Sequence, residues 1–350
     1  MKLTRRLTHF SWLLSVLVCA AAHAQMTGQQ RAEAVGHDLV GSPAPRMVLK
    51  TIDGESIDLG SLYGKKAVYL KFWATWCVPC REQMPHFERT YESEGSDLAV
   101  IAVNAGFNDS IDDVRAYRKQ VGIKMPIVID DGSLGAALNL RVTPQHVVIG
   151  RNGRIQYVSH LANERLDAAV QAARTSPAMG AAAGSDKVAS GEARKTSQYA
   201  SGDQAPQFSV QSLDGSQFNS QEPGGKHPTV LVFLSPWCES YLAKSRAAVS
   251  ANCRDVRVQV DALAKKDPQV RWLGIASGIW ATKQDLSDYQ SQYKVGIALT
   301  LDESGSLFRT FQVRRVPTVI VIDSQGRIER RIEGTDPRLP AQLQAVTLEK

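Results

Sequence analysis

The 350-residue chain is short of several features that mark common classes of protein. It has five cysteines, too few for a framework in which disulfides replace a hydrophobic core. It has no glycine-rich phosphate-binding loop and no pattern of a serine catalytic triad. Its net charge of +6 is not arranged as a basic stripe interleaved with aromatic residues, so we expect no nucleic-acid partner. The few cysteines are therefore best interpreted for their chemistry.

The N-terminus has the three parts of a secretory signal. Basic residues precede an apolar stretch over 10–22, and the small residues Ala22 and Ala24 surround a cleavage site, which predicts a signal peptide over 1–24. The apolar stretch is short for a membrane-spanning helix, and no later segment is apolar enough to span a bilayer. We expect export to the periplasm by a cleaved signal, with a membrane anchor formed by an uncleaved signal as the alternative.

The rest of the chain repeats itself. Three patterns recur in the same order: Gly41–Pro45 as Gly202–Pro206, Asp53-Gly54 as Asp214-Gly215, and Trp76-Cys77 as Trp237-Cys238. The stretch between the two copies is rich in Ala, Gly and Ser, a composition that cannot bury a core. The sequence therefore predicts one domain over 41–170 and another over 202–346, joined by a flexible linker over 175–201.

Strands alternate with helices in the first copy, and this alternation predicts an α/β fold with a mixed central sheet flanked by helices. The Asp53-Gly54 pair predicts a hairpin before this core. The predicted strands are Ala67–Trp73, Leu98–Asn104, Pro126–Ile129, Gln145–Ile149 and Arg154–Ser159. The predicted helices are Pro79–Glu92, Ser110–Val121 and Leu134–Leu140.

The segment Trp76-Cys77-Val78-Pro79-Cys80 lies between an apolar strand and a predicted helix. A cysteine at a helix N-terminus lies near unpaired backbone N–H groups, which favour its thiolate, the nucleophilic form. Cys80, one turn further on, is close enough to form a disulfide with it. Pro79 has no N–H and is tolerated in the first turn, whereas Pro85 lies inside the predicted helix and should kink it.

This motif within Phe72–Arg81, together with Val142-Thr143-Pro144, resembles the thioredoxin superfamily, and most closely the exported TlpA/ResA-type thiol-disulfide oxidoreductases. The resemblance implies two tandem thioredoxin-like domains, of which the second is degenerate because Tyr241 replaces the second cysteine. It implies that Cys77 attacks a substrate disulfide and that Cys80 resolves the mixed disulfide. Thr143 and Pro144 would form a cis pair that docks substrate, with Trp76 and the supporting residues Val78 and Pro79 beside Cys77.

The same resemblance implies an enzyme without a cofactor that reduces disulfides of exported proteins, in the maturation of cytochrome c or of copper oxidases. Its reductant would be a membrane thiol-electron transporter. Two alternatives stay open: a Cu(I) chaperone with Cys77 and Cys80 as thiolate ligands, and an oxidant of exported thiols. The direction of electron flow depends on the thiol pKa values, which the sequence does not give. No second pair of cysteine or histidine residues lies at ligand spacing, so we expect no bound metal in the enzyme.

Two features leave alternatives open. Lys71 occupies the position of a buried acid in cytoplasmic thioredoxins; it either lies near the cysteines and favours their thiolates, or extends its stem to solvent.

Cys238 and Cys253 are a possible second thiol pair. An unbroken helix would hold them about 22 Å apart, whereas a disulfide needs Cα atoms within about 7 Å. They can pair only if the chain near Ser240–Ser245 is not helical.

Overall fold

The computed structural model describes residues 26–178, 199–221, 227–334 and 341. The predicted signal peptide and most of the predicted linker lie outside the described residues. Within the described part of the chain, no helix has both the length and the apolar character needed to cross a membrane.

The first unit contains one five-stranded sheet and a two-stranded hairpin. In chain order its elements are α1 (Gly28–Leu39), β1 (Val48–Lys50), β2 (Ser56–Asp58), α2 (Leu59–Leu62), β3 (Ala67–Trp73), α3 (Val78–Glu82), α4 (Met84–Glu92), β4 (Leu98–Asn104), α5 (Ile111–Val121), β5 (Ile127–Ile129), α6 (Ser133–Ala137), β6 (Gln145–Ile149), β7 (Ile155–Ser159) and α7 (Glu164–Thr175). The sheet has the order β5-β4-β3-β6-β7. Strands β3, β4 and β5 are parallel, and β6 and β7 are antiparallel to their neighbours.

Strand β3 is the centre of this sheet, and every one of its seven residues is buried. A strand covered on both faces needs a continuous apolar run, which Ala67–Trp73 supplies except at Lys71. Helix α5 begins at a capping box in which Ser110 and Asp113 satisfy each other's backbone N–H groups. Because β3 and β4 are parallel and pair up to their last residues, the cysteine motif that follows β3 lies beside the loop that follows β4.

The second unit repeats this architecture. Its elements are β8 (Ser209–Gln211), β9 (Gln217–Asn219), β10 (Thr229–Leu234), α8 (Cys238–Tyr241), α9 (Ala247–Lys266), β11 (Arg271–Ser277), α10 (Lys283–Tyr293), β12 (Ala298–Asp302), α11 (Ser306–Thr310), β13 (Thr318–Ile322) and β14 (Ile328–Glu333). Its sheet has the order β12-β11-β10-β13-β14, which matches the first sheet strand for strand. The predicted fold class, two tandem thioredoxin-like domains, is confirmed.

The structure interrupts the predicted helix over Pro79–Glu92, which confirms the disturbance expected from Pro85 and corrects the prediction of one continuous helix. The segment forms two helices, α3 and α4, that meet at Gln83. Pro85 causes the break, because a proline has no N–H to donate and its ring collides with the carbonyl four residues earlier.

Helix α1 was not predicted. It packs against β7, and its Arg31 forms an ion pair with Asp285 of the second unit, with Nη2 3.0 Å from Oδ2.

The two units pack face to face in a nearly symmetrical way. Asn108, in the loop after β4, donates its backbone N–H to the Arg314 carbonyl at 2.8 Å. Trp280, in the corresponding loop after β11, donates its backbone N–H to the Arg141 carbonyl at 2.8 Å. Each of these acceptors lies shortly before a cis peptide bond, Val316–Pro317 in one unit and Thr143–Pro144 in the other. The cysteine-bearing face of one unit is therefore covered by the equivalent face of the other.

Candidate active site

Cys77 and Cys80 form a disulfide at the start of α3, with their Cα atoms 5.2 Å apart. Cys77 is the N-cap of this helix, and its sulfur accepts the Cys80 backbone N–H at 3.2 Å. Pro79 lies in the first turn, where its missing N–H leaves no bond unmade. The unpaired backbone N–H groups at the start of α3 would also stabilise a Cys77 thiolate after reduction.

The loop before β6 completes the site. The Cys77 sulfur lies 3.4 Å from the Thr143 carbonyl oxygen, and Thr143 precedes Pro144 in the cis peptide predicted from the sequence. The structure thus brings together the two cysteines, Thr143 and Pro144, as the motif predicts. Trp76 also lies here, but it is only 2% exposed because the second unit covers it.

Lys71 lies inside the protein and does not reach solvent. Its side chain is fully buried, and its Nζ donates to the Cys80 carbonyl oxygen at 3.3 Å. Burial lowers the pKa of Lys71 from 10.5 to about 7, because an apolar interior penalises the ammonium form. The alternative in which its stem extends to solvent is therefore wrong. Near neutral pH the amine is poised between its charged and neutral forms beside Cys80.

The lowered pKa of Lys71 predicts a pH-dependent stability. Between about pH 7 and pH 10.5 the unfolded chain binds a proton that the folded chain does not, so the free energy of unfolding falls as pH falls through this range. Below pH 7 the full penalty, about 5 kcal/mol, is present. Lys71→Met should therefore stabilise the oxidised protein by several kcal/mol at pH 6 and much less at pH 10, measured by urea unfolding.

The matched control for this prediction is Lys65→Met, because Lys65 is an exposed lysine just before the same strand. Lys65→Met should change the free energy of unfolding by less than about 0.5 kcal/mol at either pH. A stability difference between Lys71→Met and the unmodified chain that stays constant from pH 6 to pH 10 would contradict a lowered Lys71 pKa.

A buried hydrogen-bond chain supports the site from below. Tyr69 donates its hydroxyl to His146 Nδ1 at 2.8 Å, and His146 Nε2 donates to Gln83 Oε1 at 2.8 Å, an assignment that follows from the acceptor-only oxygen. Gln83 then donates to the His160 carbonyl at 3.2 Å, and His160 Nδ1 donates to the Pro144 carbonyl at 2.7 Å. Burial lowers the pKa of His146, which keeps it neutral in this role. The chain links β3, the α3–α4 junction and the Pro144 loop.

Asp109 joins the cysteine motif to the second unit. Its carboxylate accepts bonds from the Thr75 backbone N–H at 2.8 Å, the Thr75 hydroxyl at 2.6 Å and the Asn104 amide at 2.7 Å. Arg246 of the second unit reaches the same carboxylate at 3.0 Å and also bonds the Thr75 hydroxyl at 2.6 Å. Burial raises the pKa of Asp109, while these donors oppose the rise. Because Thr75 precedes Trp76 and Cys77, the contact fixes the turn that carries the nucleophile.

Aromatic side chains close the interface over the cysteines. The Trp76 and Trp237 rings stack with centroids 5.0 Å apart, and the Tyr241 hydroxyl accepts the Val78 backbone N–H at 3.1 Å. Trp280 donates its indole N–H to the Thr143 hydroxyl at 3.1 Å. As a result Cys77 is only 1% exposed. Tyr241 replaces a cysteine in the motif, yet it contacts the active-site helix of the first unit.

Sequence reasoning identified the cysteines and the Pro144 loop but missed the residues that hold them. These are Tyr69, Gln83, Asn104, Asp109, His146, His160, Arg246 and Trp280. One signal was available for Asn104 and Asp109: they lie at the carboxyl end of the buried strand β4 and in the loop that follows it, where sites in α/β sheets form. Nothing local in the sequence pointed to Arg246, because its partner is more than a hundred residues away.

The fold and the site define a thioredoxin-like protein with a dithiol–disulfide pair at a helix N-terminus. The Redoxin family model matches residues 39–173 and 200–346, so the chain belongs to the Redoxin family, with one match in each unit.

Several relatives carry names that agree with this site. The thioredoxin-like protein YneN of Bacillus subtilis is 39% identical over 117 residues, covering 33% of this chain and 68% of that protein. The thiol-disulfide oxidoreductase ResA of Bacillus subtilis is 32% identical over 161 residues, covering 44% of this chain and 85% of that protein. A solved thiol:disulfide interchange protein from Chlorobium tepidum is 31% identical, covering 38% of this chain and 95% of that one, with a TM-score of 0.32. The Redoxin match and the two named Bacillus subtilis relatives confirm the expectation of a thiol-disulfide oxidoreductase at this level.

Proposed function

We propose that the chain reduces disulfides of exported proteins through Cys77 and Cys80. The observation that carries this proposal is the position of the Cys77 sulfur, 3.2 Å from the Cys80 N–H and 3.4 Å from the Thr143 carbonyl. The first contact favours a thiolate, and the second places backbone that can pair with an extended substrate beside the reacting sulfur.

The reaction balances as two exchanges. In the reduced enzyme the Cys77 thiolate attacks one sulfur of the substrate disulfide, a Cys77–substrate bond forms, and the other substrate sulfur leaves as a thiolate that takes up a proton. Cys80 then loses its proton and attacks the Cys77 sulfur, which releases the second substrate sulfur. The substrate gains two electrons, and the Cys77–Cys80 disulfide seen in the structure is restored.

The reduced enzyme must be regenerated by an external dithiol, and we assign this step to a membrane thiol-electron transporter. The predicted signal peptide supports the periplasm as the location, with a membrane anchor as the alternative if the signal is not cleaved. In that compartment the substrates that we propose are cysteine pairs of apocytochromes c or of copper-site proteins. The named relatives support the class of reaction, whereas these substrates rest on the resemblance described above.

The direction of electron flow is tested by the reduction potential of the Cys77/Cys80 pair. The full chain is equilibrated in a series of reduced and oxidised glutathione or dithiothreitol buffers, quenched with acid, and the two cysteines are labelled and counted by mass spectrometry. We expect a two-electron transition near the thioredoxin value of about −270 mV. A midpoint near −120 mV, roughly that of a strong periplasmic oxidant, would reverse the proposed direction.

A further inference from the structure

Cys238 occupies the same place in the second unit that Cys77 occupies in the first. It directly follows the turn after the central strand β10 and begins helix α8. Strand β13, which pairs with β10, follows Pro317, just as β6 follows Pro144 and pairs with β3. The position of the nucleophile is therefore retained in the second unit, although the second cysteine of the motif is absent.

A different cysteine supplies the partner. Helix α8 ends at Tyr241 and α9 begins at Ala247, so the chain between them is not helical and α9 can fold back. Cys253 of α9 forms a disulfide with Cys238, with Cα atoms 6.3 Å apart. This settles the alternative that the sequence left open. The inserted helix replaces the missing motif cysteine with one from the next element.

The two helices are also joined by bonds that do not involve sulfur. Arg257 of α9 contacts both carboxylate oxygens of Glu239 in α8, at 2.7 and 3.0 Å, and both side chains are largely buried. The Ser250 hydroxyl donates to the Glu239 carbonyl at 2.7 Å. Because these contacts do not depend on the disulfide, we expect the two thiols to stay close to each other after its reduction. A pair held in this way can be oxidised again without a folding step.

The face-to-face packing brings the two cysteine helices together. The first residue of α3, Val78, bonds to the last residue of α8, Tyr241, and the tryptophans that precede Cys77 and Cys238 stack on each other. Cys77 and Cys238 belong to one continuous cluster of buried apolar side chains that crosses the interface. The second unit thus covers the active-site face of the first with its own cysteine helix.

From this geometry we infer that Cys238–Cys253 is a second redox-active disulfide, which exchanges with the Cys77/Cys80 dithiol inside one chain. The inference rests on the proposed function of the first pair. The Cys77 thiolate attacks the Cys238 sulfur, the Cys238–Cys253 bond breaks, a Cys77–Cys238 bond forms, and Cys253 leaves as a thiolate. Cys80 then attacks the Cys77 sulfur and releases Cys238. Two electrons pass to the second pair, and the protons lost by Cys77 and Cys80 are taken up by Cys253 and Cys238.

The test uses a full-length chain that stops at the intermediate. Cys80→Ser removes the resolving thiol, so exchange with the second pair ends at a Cys77–Cys238 bond. The variant is equilibrated in a glutathione buffer, quenched with acid, alkylated, digested and mapped by mass spectrometry. We expect a peptide pair joined through Cys77 and Cys238, with Cys253 alkylated. Its yield should not change over about a hundredfold dilution, because the reaction is intramolecular.

Controls separate this inference from the proposed function. Cys77→Ser, which keeps Cys80, should leave Cys238–Cys253 intact in the same buffer. If Cys238–Cys253 stays intact in the Cys80→Ser chain, whether Cys77 is free or bound to glutathione, the inference is overturned and the second disulfide is purely structural. Insulin reduction by the unmodified chain is measured in parallel. If the unmodified chain reduces insulin but the Cys80→Ser chain gives no Cys77–Cys238 peptide, the exchange alone is overturned. If the unmodified chain does not reduce insulin, the function proposed for the first pair is overturned.

Discussion

Replacing Cys77 by alanine is expected to abolish the reduction of insulin disulfides by dithiothreitol-primed protein. No other thiol lies at the N-terminus of α3, and Cys80 is fully buried in the helix behind it. Without the attacking thiolate no mixed disulfide forms, so the rate above the dithiothreitol background should fall on the order of a thousandfold or more. The measurement is the turbidity of the precipitating insulin B chain.

The effects of Cys77→Ala are distinguished from misfolding by a paired variant. Cys80→Ala removes an equally buried sulfur and the same disulfide, yet it keeps the nucleophile. When Cys238 and Cys253 are serine in both variants, so that no internal disulfide competes, Cys80→Ala should lose turnover but still form one covalent adduct with insulin per chain, whereas Cys77→Ala should form none. A Cys77→Ala chain that reduced insulin at the rate of the unmodified chain would place the chemistry elsewhere, with Cys238–Cys253 as the first candidate.

Opening the interface between the two units is expected to accelerate reduction of protein disulfides. Cys77 is 1% exposed while the second unit covers it, so a protein substrate can react only with chains in which that unit has moved away. Arg246→Ala removes the ion pair to Asp109, whose side chain is fully buried, and one bond to Thr75. A loss of roughly 2 kcal/mol from the closed state would raise the open population about thirtyfold while that population is small. The insulin reduction rate should rise by a similar factor.

Arg254→Ala is the matched control for Arg246→Ala. Arg254 lies in α9, is well exposed, and pairs with its neighbour Asp255 within the described part of the chain. Its replacement should leave the insulin reduction rate unchanged. Alkylation of reduced Cys77 by iodoacetamide should follow the same order. A lower rate in Arg246→Ala would show that the second unit helps to bind substrate rather than cover the site.

The sequence predicted most of the first sheet and the reacting pair because both depend on local signals. The apolar runs that became β3, β4 and β6 agree with their predicted bounds. Cys77 and Cys80 were recognisable because helix geometry and thiol chemistry together fix their spacing. The capping residue Ser110 likewise marks the start of α5. In these cases the few residues that decide the structure are adjacent in the chain.

The rest depends on contacts between distant residues. Burial of Lys71 could not be predicted, because an isolated charged group is expensive to bury and the compensating Cys80 carbonyl becomes visible only in three dimensions. The break between α8 and α9 contains no proline or glycine, so the pairing of Cys238 with Cys253 stayed open. The stacking of Trp76 on Trp237 is a contact between two domains, and no periodic pattern within either one encodes it.

The central claim is that Cys77 is the nucleophile and Cys80 the resolving thiol, and trapping the intermediate tests it most directly. The chain used is full-length Cys80→Ala in which Cys238 and Cys253 are also serine, so that no internal disulfide competes. It is mixed with insulin, quenched with acid and mapped by mass spectrometry. The predicted result is one insulin chain bound per protein through Cys77. The contradicting result is a Cys77 that stays free and alkylatable after the same exposure, with no insulin attached.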